Sequence, residues 1–334
     1  MLQYLEVLIK PKRNVITINS YKPEYECDLH CHTTRSDGND SPGRLITKAS
    51  ELGMKAIGMV DHDIGPVLNI THEGKRVEIK QFARGLELDL VQGDEFSCDS
   101  NVDDVHIIGY ELDWSCDRFK QEVQRAKQSK VDAYHKLCEV LTKEGMPIDY
   151  QQDILNYQDV DGNRQQRLPE EVQRKHIFEA MAKKGYAQSW SQAKLMVRDN
   201  PGLNVKRNKV SPLEAIYIIK SCRGIAVLAH PYLIDERVDS EVLGKVSRDQ
   251  YIDKLIDAGL DGMESCYTYD KTTYQGNMSG QQIKEEVEHK YGGRVKFFTG
   301  GSDYHNDAKK GASNPRLIGE AGINYNQFKS IFKP

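Results

Sequence analysis

Six of the ten histidines of this 334-residue chain fall in short polar clusters together with aspartate and glutamate. The clusters read DLHCHTTRSDG, VDHD, GDEFS, DVHIIGY, LAHP and GGSDYH. They supply His30, His32, His62, His106, His230 and His305, with Asp37, Glu95 and Asp303. Mixed imidazole and carboxylate sets suit divalent zinc, manganese or iron, and a set almost without thiolate is not that of a structural zinc site. His30 and His32 are two residues apart, which on a strand turns both rings to one face. Each cluster alone has a plainer reading: a histidine satisfied within the core, an SDG turn, or a strand ending before a proline. The weight comes from six such clusters in one chain.

The elements that must position these residues follow from glycine, proline and hydrophobic spacing. YECDLH reads as a strand. SPGRLITKASELG then places Leu45, Ala49 and Leu52 at helical spacing, with Ser41 as N-cap, Pro42 at the first helical position and Gly53 at the end. KAIGMV follows as a short buried strand. The device recurs at SPLEAIYIIKSCRG, where Ser211 and Glu214 fit a capping box before the strand GIAVLA. RDQYIDKLIDAG then LDGMES, and GQQIKEEVEHKYGG then VKFFTG, repeat the helix-to-strand order. Such alternation predicts an α/β fold, a parallel sheet with helices outside, either a barrel or a doubly wound sheet. Most of the polar clusters then sit at the C-terminal ends of strands, where α/β barrels place their active sites.

One stretch breaks the rhythm. Strand signals fade between about Asp117 and Val210, and Phe119, Val123, Ala126, Ala133, Leu137 and Val140 keep helical spacing up to Gly145 and Pro147. Further helices are predicted over Pro169 to Lys184 and Ser189 to Arg198. The segment reads as a helical insertion between two strands of the α/β domain.

Composition excludes several classes. With 38% hydrophobic and 29% charged residues the chain reads as an ordinary water-soluble globular protein, not a disordered one. No run approaches the apolar length of a membrane span, and the start carries no secretory-leader pattern. The seven cysteines are scattered without a CxxC pair, as expected of reduced thiols in a cytoplasmic protein. Lys and Arg total 46 against 50 Asp and Glu, a formal charge of −4. That balance argues against a long polyanion as preferred partner, while leaving room for phosphate at a local basic pocket.

The order of the motifs resembles the PHP (polymerase and histidinol phosphatase) domain family. DLHCHTTRSDG followed by SPGRLITKASELGMKAIGMVDHD is similar to that family's opening signature, and GDEFS, VHIIGY, VLAHP and GGSDYH to its later motifs. The resemblance runs from about Cys27 to Gly311. It is nearest to the small-molecule phosphoesterases, which include nucleoside bisphosphate phosphatases and a phosphoribosyl cyclic phosphate dihydrolase. The resemblance implies a distorted (β/α)7 barrel over residues 23–334, after an extension at 1–22, with the helical insertion at 117–210. It also implies three divalent ions, manganese first, with iron or zinc as alternatives. Motif by motif, one ion would take His30, His32, Glu95 and Asp303. A second would share Glu95 and add His106 and His230, and a third would take Asp37, His62 and His305. RKHIFEA resembles the stretch that opens an insertion helix in the related phosphatases, with Ile177 where they carry phenylalanine. It marks Arg174 and His176 as phosphate contacts, and Lys206 and Arg207 lie where relatives carry phosphate-facing groups.

The expectation is therefore a cytoplasmic, metal-dependent phosphoesterase acting on a small phosphorylated metabolite, either a nucleotide-type monoester or a sugar cyclic diester. A hydroxide bridging two ions would attack phosphorus while the third ion neutralises a phosphoryl oxygen, with no side-chain nucleophile. Asp61, Asp63 or water would protonate the leaving group. No long nucleic acid and no membrane are expected as partners, and the oligomeric state is left open. Two alternatives remain at this point: a histidinol-phosphate phosphatase, and a non-catalytic PHP module that binds nucleic acid or a partner protein. The complete set of nine ligand-type residues counts against the second. Of the other histidines, His135 is expected to pack within the protein and His72 and His289 to lie on the surface. Tyr267 and Tyr269 are expected to serve packing.

Overall fold

The computed structural model describes residues 21–333 apart from 100, 103, 159–163, 241 and 311. The extension expected at 1–22 thus lies almost wholly outside the described residues. Seven strands form one sheet in the order β1 (Cys27–Cys31), β2 (Ala56–Met59), β3 (Asp89–Ser97), β4 (His106–Tyr110), β5 (Ile225–Leu228), β6 (Gly262–Tyr267) and β7 (Phe297–Gly301). The sheet curls until its edges meet. Tyr304, just past β7, accepts from the His32 amide at 2.9 Å and donates its own amide to the His30 carbonyl at 3.1 Å. A side chain at Gly301 would place its Cβ 2.3 Å from the Cβ of His30, so glycine is what lets β7 close against β1. The result is the expected α/β barrel, nearly closed, with helices around it.

The sheet departs from all-parallel order at one strand. β4 runs antiparallel to both β3 and β5, whereas the other pairs are parallel. The cause is chain length. Only residues 98–105 separate β3 from β4, too few for the crossover a parallel pair requires. The reversal has a consequence for chemistry: His106 begins β4, yet the reversed direction brings it to the rim where the parallel strands end. Tyr110 sits at the opposite end of this strand. There its ring meets Phe332 of α9 (Tyr325–Phe332) at 5.5 Å between centroids, and its hydroxyl bonds the Leu29 carbonyl at 2.9 Å. Tyr110, Leu29 and Phe328 are buried in this interior cluster. Each such side chain stabilises the fold by roughly 1.5–3 kcal/mol relative to exposure.

The local signals read from the sequence organise the outer layer. α1 (Pro42–Glu51) starts with the Ser41 hydroxyl accepting from the Arg44 amide, and Gly53 takes the left-handed turn after it. α2 (Ile79–Gly85) follows a hairpin of two short strands, Asn69–His72 and Lys75–Glu78. α6 (Pro212–Ser221), α7 (Arg248–Asp257) and α8 (Gly280–Tyr291) are each capped by the serine before them.

Between β4 and β5 the chain leaves the barrel. α3 (Asp117–Lys143) is 27 residues, about 40 Å long. Its start packs Phe119 into the barrel's outer core, while Leu137, Cys138 and Leu141 enter a separate apolar cluster with α4 (Arg174–Lys183) and α5 (Trp190–Asp199). Two local expectations fail here. A small antiparallel hairpin, Asn156–Gln158 with Arg164–Gln166, stands where no strand was expected, because three-residue polar strands carry no readable alternation. The helix expected from Pro169 breaks at Val172 and Gln173, which are extended. Gln173 there caps α4, its backbone amide donating to His176 Nδ1 at 3.0 Å.

The expectation of seven reduced thiols also fails. Cys116, at the N-cap of α3, and Cys222, at the end of α6, are joined as a disulfide across 106 residues. Packing of α3 against α6 brings the two together, and nothing local in the sequence marks the pair. The other five cysteines are buried and free.

Candidate metal centre

Glu95, buried in β3, is the hub of the rim. Its Oε2 lies 3.2 Å from His30 Nε2, 3.0 Å from His32 Nε2 and 3.3 Å from His62 Nδ1. Its Oε1 lies 2.9 Å from His106 Nδ1 and 3.2 Å from His230 Nε2. Asp303 Oδ1 joins from the end of β7, 3.1 Å from His32 and 3.5 Å from His30. His305 extends the set outward, with Nε2 2.9 Å from Asp37 Oδ1, and His32 Nδ1 is 3.8 Å from the same oxygen. All nine residues singled out in the sequence thus meet in one connected group. The rings of His30, on β1, and His32, just past its end, are fully buried, whereas Asp37, on the loop after β1, is about half exposed.

The group has the character of a metal-binding set. The nitrogens of His30 and His32 face each other at 3.2 Å, as do those of His106 and His230. At least one nitrogen of each pair is then a lone pair with no hydrogen to share. Ligand bonds of about 2.1 Å to one ion place neighbouring donors roughly 3.0–3.5 Å apart, the spacing seen around Glu95. His62 Nδ1 is buried without a hydrogen-bond partner. Three subsets, His30–His32–Glu95, His62–Glu95–His106 and His32–Asp37–His62–His305, each hold their donor atoms within 4.8 Å. The subsets share His32, His62 and Glu95, so adjacent sites would be bridged more extensively than motif-by-motif assignment suggests.

Electrostatics follow from this crowding. Burial alone would push the Glu95 carboxyl up, but the imidazoles of His30, His62 and His106 hold it well below its usual range. Asp303 is likewise held low, against its burial, by His305, Arg316 and His30. In return His30 is pushed up well above an ordinary imidazole, against its burial, by Glu95, Glu264 and Asp303. His106 moves the other way, down to about 4, because burial dominates.

Several supporting residues escaped the sequence reading. Glu264, on β6, is buried, takes the His230 backbone amide at 2.9 Å and lies 3.3 Å from His30 Nδ1. A carboxylate behind a ligand imidazole fixes its tautomer and raises its basicity. The only signal was a glutamate inside a strand, LDGMES, that otherwise reads as core. Asp28, on β1, takes the Ser302 and Gly319 amides at 2.9 and 2.8 Å, and its burial raises its carboxyl to about 6. Tyr267 donates its hydroxyl to Asp303 Oδ2 at 2.8 Å, so it does more than pack, and Arg316 pairs with the same oxygen.

Other assignments changed with geometry. Asp61 takes the Thr33 amide at 2.7 Å, the Thr33 hydroxyl at 2.7 Å and the Ser36 hydroxyl at 2.6 Å. These three donors make it an anchor for the loop that carries Asp37. Asp63 takes the Ser97 amide at 2.9 Å and pairs with Arg207 at 3.3 Å. Among the substrate candidates, Arg174 bonds Asn204 Oδ1 at 3.1 Å, Lys206 is exposed, and His176 sits in the first turn of α4. Arg207 is the cation that Asp63 holds at the rim. His135, expected to pack, is largely exposed beside Glu139, with its ring meeting Tyr150 edge-on at 5.3 Å between centroids.

Comparison with known proteins gives these features a family. Residues 28–188 match the PHP domain. The chain is 27% identical over 205 residues to a 5'-3' exoribonuclease of Haemophilus influenzae, covering 61% of this chain and 68% of that protein. It is 28% identical over 210 residues to the 5'-3' exoribonuclease Rnm of Escherichia coli, covering 61% and 64%. In fold it is similar to a Bifidobacterium adolescentis protein described as a metal-dependent phosphoesterase. That match has a TM-score of 0.65 at 24% identity and covers 93% of this chain and 96% of the other. An amidohydrolase of Chromobacterium violaceum, solved with bound sulfate, matches with a TM-score of 0.59 at 20% identity over 84% and 87%. The names of the sequence relatives overturn the expectation of a small substrate and no long nucleic acid. A whole-chain charge of −4 was a poor guide because it averages over the surface and does not report local charge. Among the described residues no helix is long and apolar enough to cross a membrane. Residues 28–188 thus carry the match to the PHP domain, the family that the order of the motifs resembles.

Proposed function

We propose that this protein is a metal-dependent exoribonuclease that hydrolyses phosphodiester bonds of RNA from the 5' end. The observation that carries the reading is the convergence of six imidazoles and three carboxylates around Glu95 at one rim of the barrel. The names of the sequence relatives supply the substrate. In this reading His30, His32, Asp37, His62, Glu95, His106, His230, Asp303 and His305 hold up to three divalent ions, manganese first. Such ions would activate water near neutral pH and neutralise charge on the phosphoryl oxygens.

The chain's own groups have distinct tasks. Glu95 links the two halves of the site, since each of its oxygens serves a different group of imidazoles. Glu264 orients His30, and Asp28 ties β1 to Ser302 and Gly319. Asp61 fixes the loop that presents Asp37. Arg207 and Arg174 supply positive charge at the mouth for the incoming phosphate. Asp61 and Asp63 are each committed to several donors, which leaves water as the proton source for the departing 3' oxygen.

The reading is tested with purified protein, manganese and short 5'-phosphorylated RNAs, followed by release of mononucleotides from the 5' end. His32→Asn and Asp303→Asn should each lower the rate at least a hundredfold. A wild-type protein that takes up only trace metal, or that leaves these RNAs intact, overturns it.

A further inference from the structure

The insertion contains a cavity of about 880 Å3 that none of the nine clustered residues lines. Its walls are the hairpin Asn156–Gln158/Arg164–Gln166 on one side and α4 on the other. We propose that this cavity is a subsite for single-stranded RNA, taking a nucleotide downstream of the bond cut at the metal centre. The inference rests on the RNA reading above and adds to it a defined second contact.

Size, charge and aromatic content agree. The volume falls within the range of sites for nucleotide-sized ligands. Arg164, Arg167, Lys183 and Lys184 face two carboxylates, Asp153 and Glu179, so the lining is net positive. Lys184 is held by Asp153 at 2.6 Å, which leaves the excess with the other three cations. The guanidinium of Arg167 lies 3.6 Å from the centroid of the Tyr157 ring and is anchored by a 2.9 Å bond to the Ile154 carbonyl. A fixed aromatic beside a planar cation is the platform on which unpaired bases stack, and a positive groove tracks the backbone between them.

The cavity is also joined to the metal centre. Gln173, which caps α4, bonds the backbone carbonyl of Ser36, the residue before Asp37. His176 lines the cavity three residues later, about 4.5 Å along the helix axis. Its Nδ1 is occupied by the Gln173 amide, and burial together with Arg167, Lys175 and Lys130 pushes the ring down to about 3. The neutral ring then carries its hydrogen on Nε2 and offers a donor instead of a charge. An RNA strand leaving the metals crosses one turn of α4 to reach a site with stacking, cationic and donor groups.

The test compares steady-state kinetics on a 5'-phosphorylated dinucleotide and a 5'-phosphorylated pentamer. Tyr157→Ala should raise the pentamer KM about tenfold with little change in kcat, the loss expected from one base–aromatic stack. Tyr157→Phe should keep the wild-type KM, and Arg164→Glu with Lys183→Glu should raise it as Tyr157→Ala does. A 4-thiouridine placed within the pentamer should crosslink to the peptide that carries Tyr157. If wild-type protein degrades the pentamer and both sets of variants stay within twofold of its KM, the subsite is overturned and the function stands. If wild-type protein cleaves neither RNA, the function falls and the subsite with it.

Discussion

Glu264→Gln isolates the role of a carboxylate that stands behind the metal centre. Glu264 is buried and serves two donors: the His230 backbone amide at 2.9 Å, and His30 Nδ1 at 3.3 Å when His30 turns Nε2 toward the centre. Glutamine has nearly the same volume, so no cavity opens. Its amide offers one oxygen where the carboxylate offered two, so one N–H is left facing the new NH2. A buried donor without a partner costs about 1–3 kcal/mol. Part of this falls equally on the metal-free protein, because the bond to His230 does not depend on an ion. The part that orients His30 appears in metal affinity, and loss of such a second partner lowers affinity about 10- to 100-fold. That corresponds to roughly 1.4–2.8 kcal/mol of binding free energy. Calorimetric titration of demetallated protein with manganese measures it, with circular dichroism to establish that the variant is folded. RNA hydrolysis should fall at low manganese and recover as manganese is raised. An affinity within twofold of wild type would refute the assignment of His30 as a ligand oriented by Glu264.

Further outcomes follow from the same structure. In the metal-free protein His30 is raised well above an ordinary imidazole by Glu95, Glu264 and Asp303, so a metal ion must displace its proton. Apparent manganese affinity should climb about tenfold per pH unit from pH 6 to 8. The metal-free fold should lose stability as pH rises through that raised value, since the protonated form is the one its carboxylates stabilise. A flat affinity profile above pH 6.5 would contradict this. Gly301→Ala places a Cβ 2.3 Å from His30 Cβ and 2.5 Å from His30 N, neither of which can swing away. Denaturant unfolding should show a loss of about 3 kcal/mol. Cys116→Ser removes a link that closes a loop of 106 residues, worth at most about 4–5 kcal/mol through chain entropy. Its melting temperature should fall below that of the oxidised wild type and match that of the reduced wild type.

The sequence by itself determined the chemistry of the rim and much of the outer layer. Ligand-type side chains are explicit in the letters, and a serine–proline start or a glycine stop acts within one turn, as at Ser41 and Gly53. Strand alternation with helices was enough to give an α/β fold with helices outside a sheet, and the resemblance to the PHP family implied the barrel over a doubly wound sheet. Tertiary structure decided what depends on distant partners. The reversal of β4, which delivers His106 to the rim, follows from the short connection after Ser97. Glu264 looks like one more core-strand residue until β6 comes to lie behind His30. Asp61 and Asp63 were offered as proton sources on composition, and the donors that fold around them gave each a structural task. Cys116 and Cys222 pair only because α3 packs on α6, and the cavity of the insertion exists only where the small hairpin meets α4. A residue's type fixes what it can bind or donate. Only the folded chain sets which partner is within about 3 Å, and at that range hydrogen bonds and ligand sets are made.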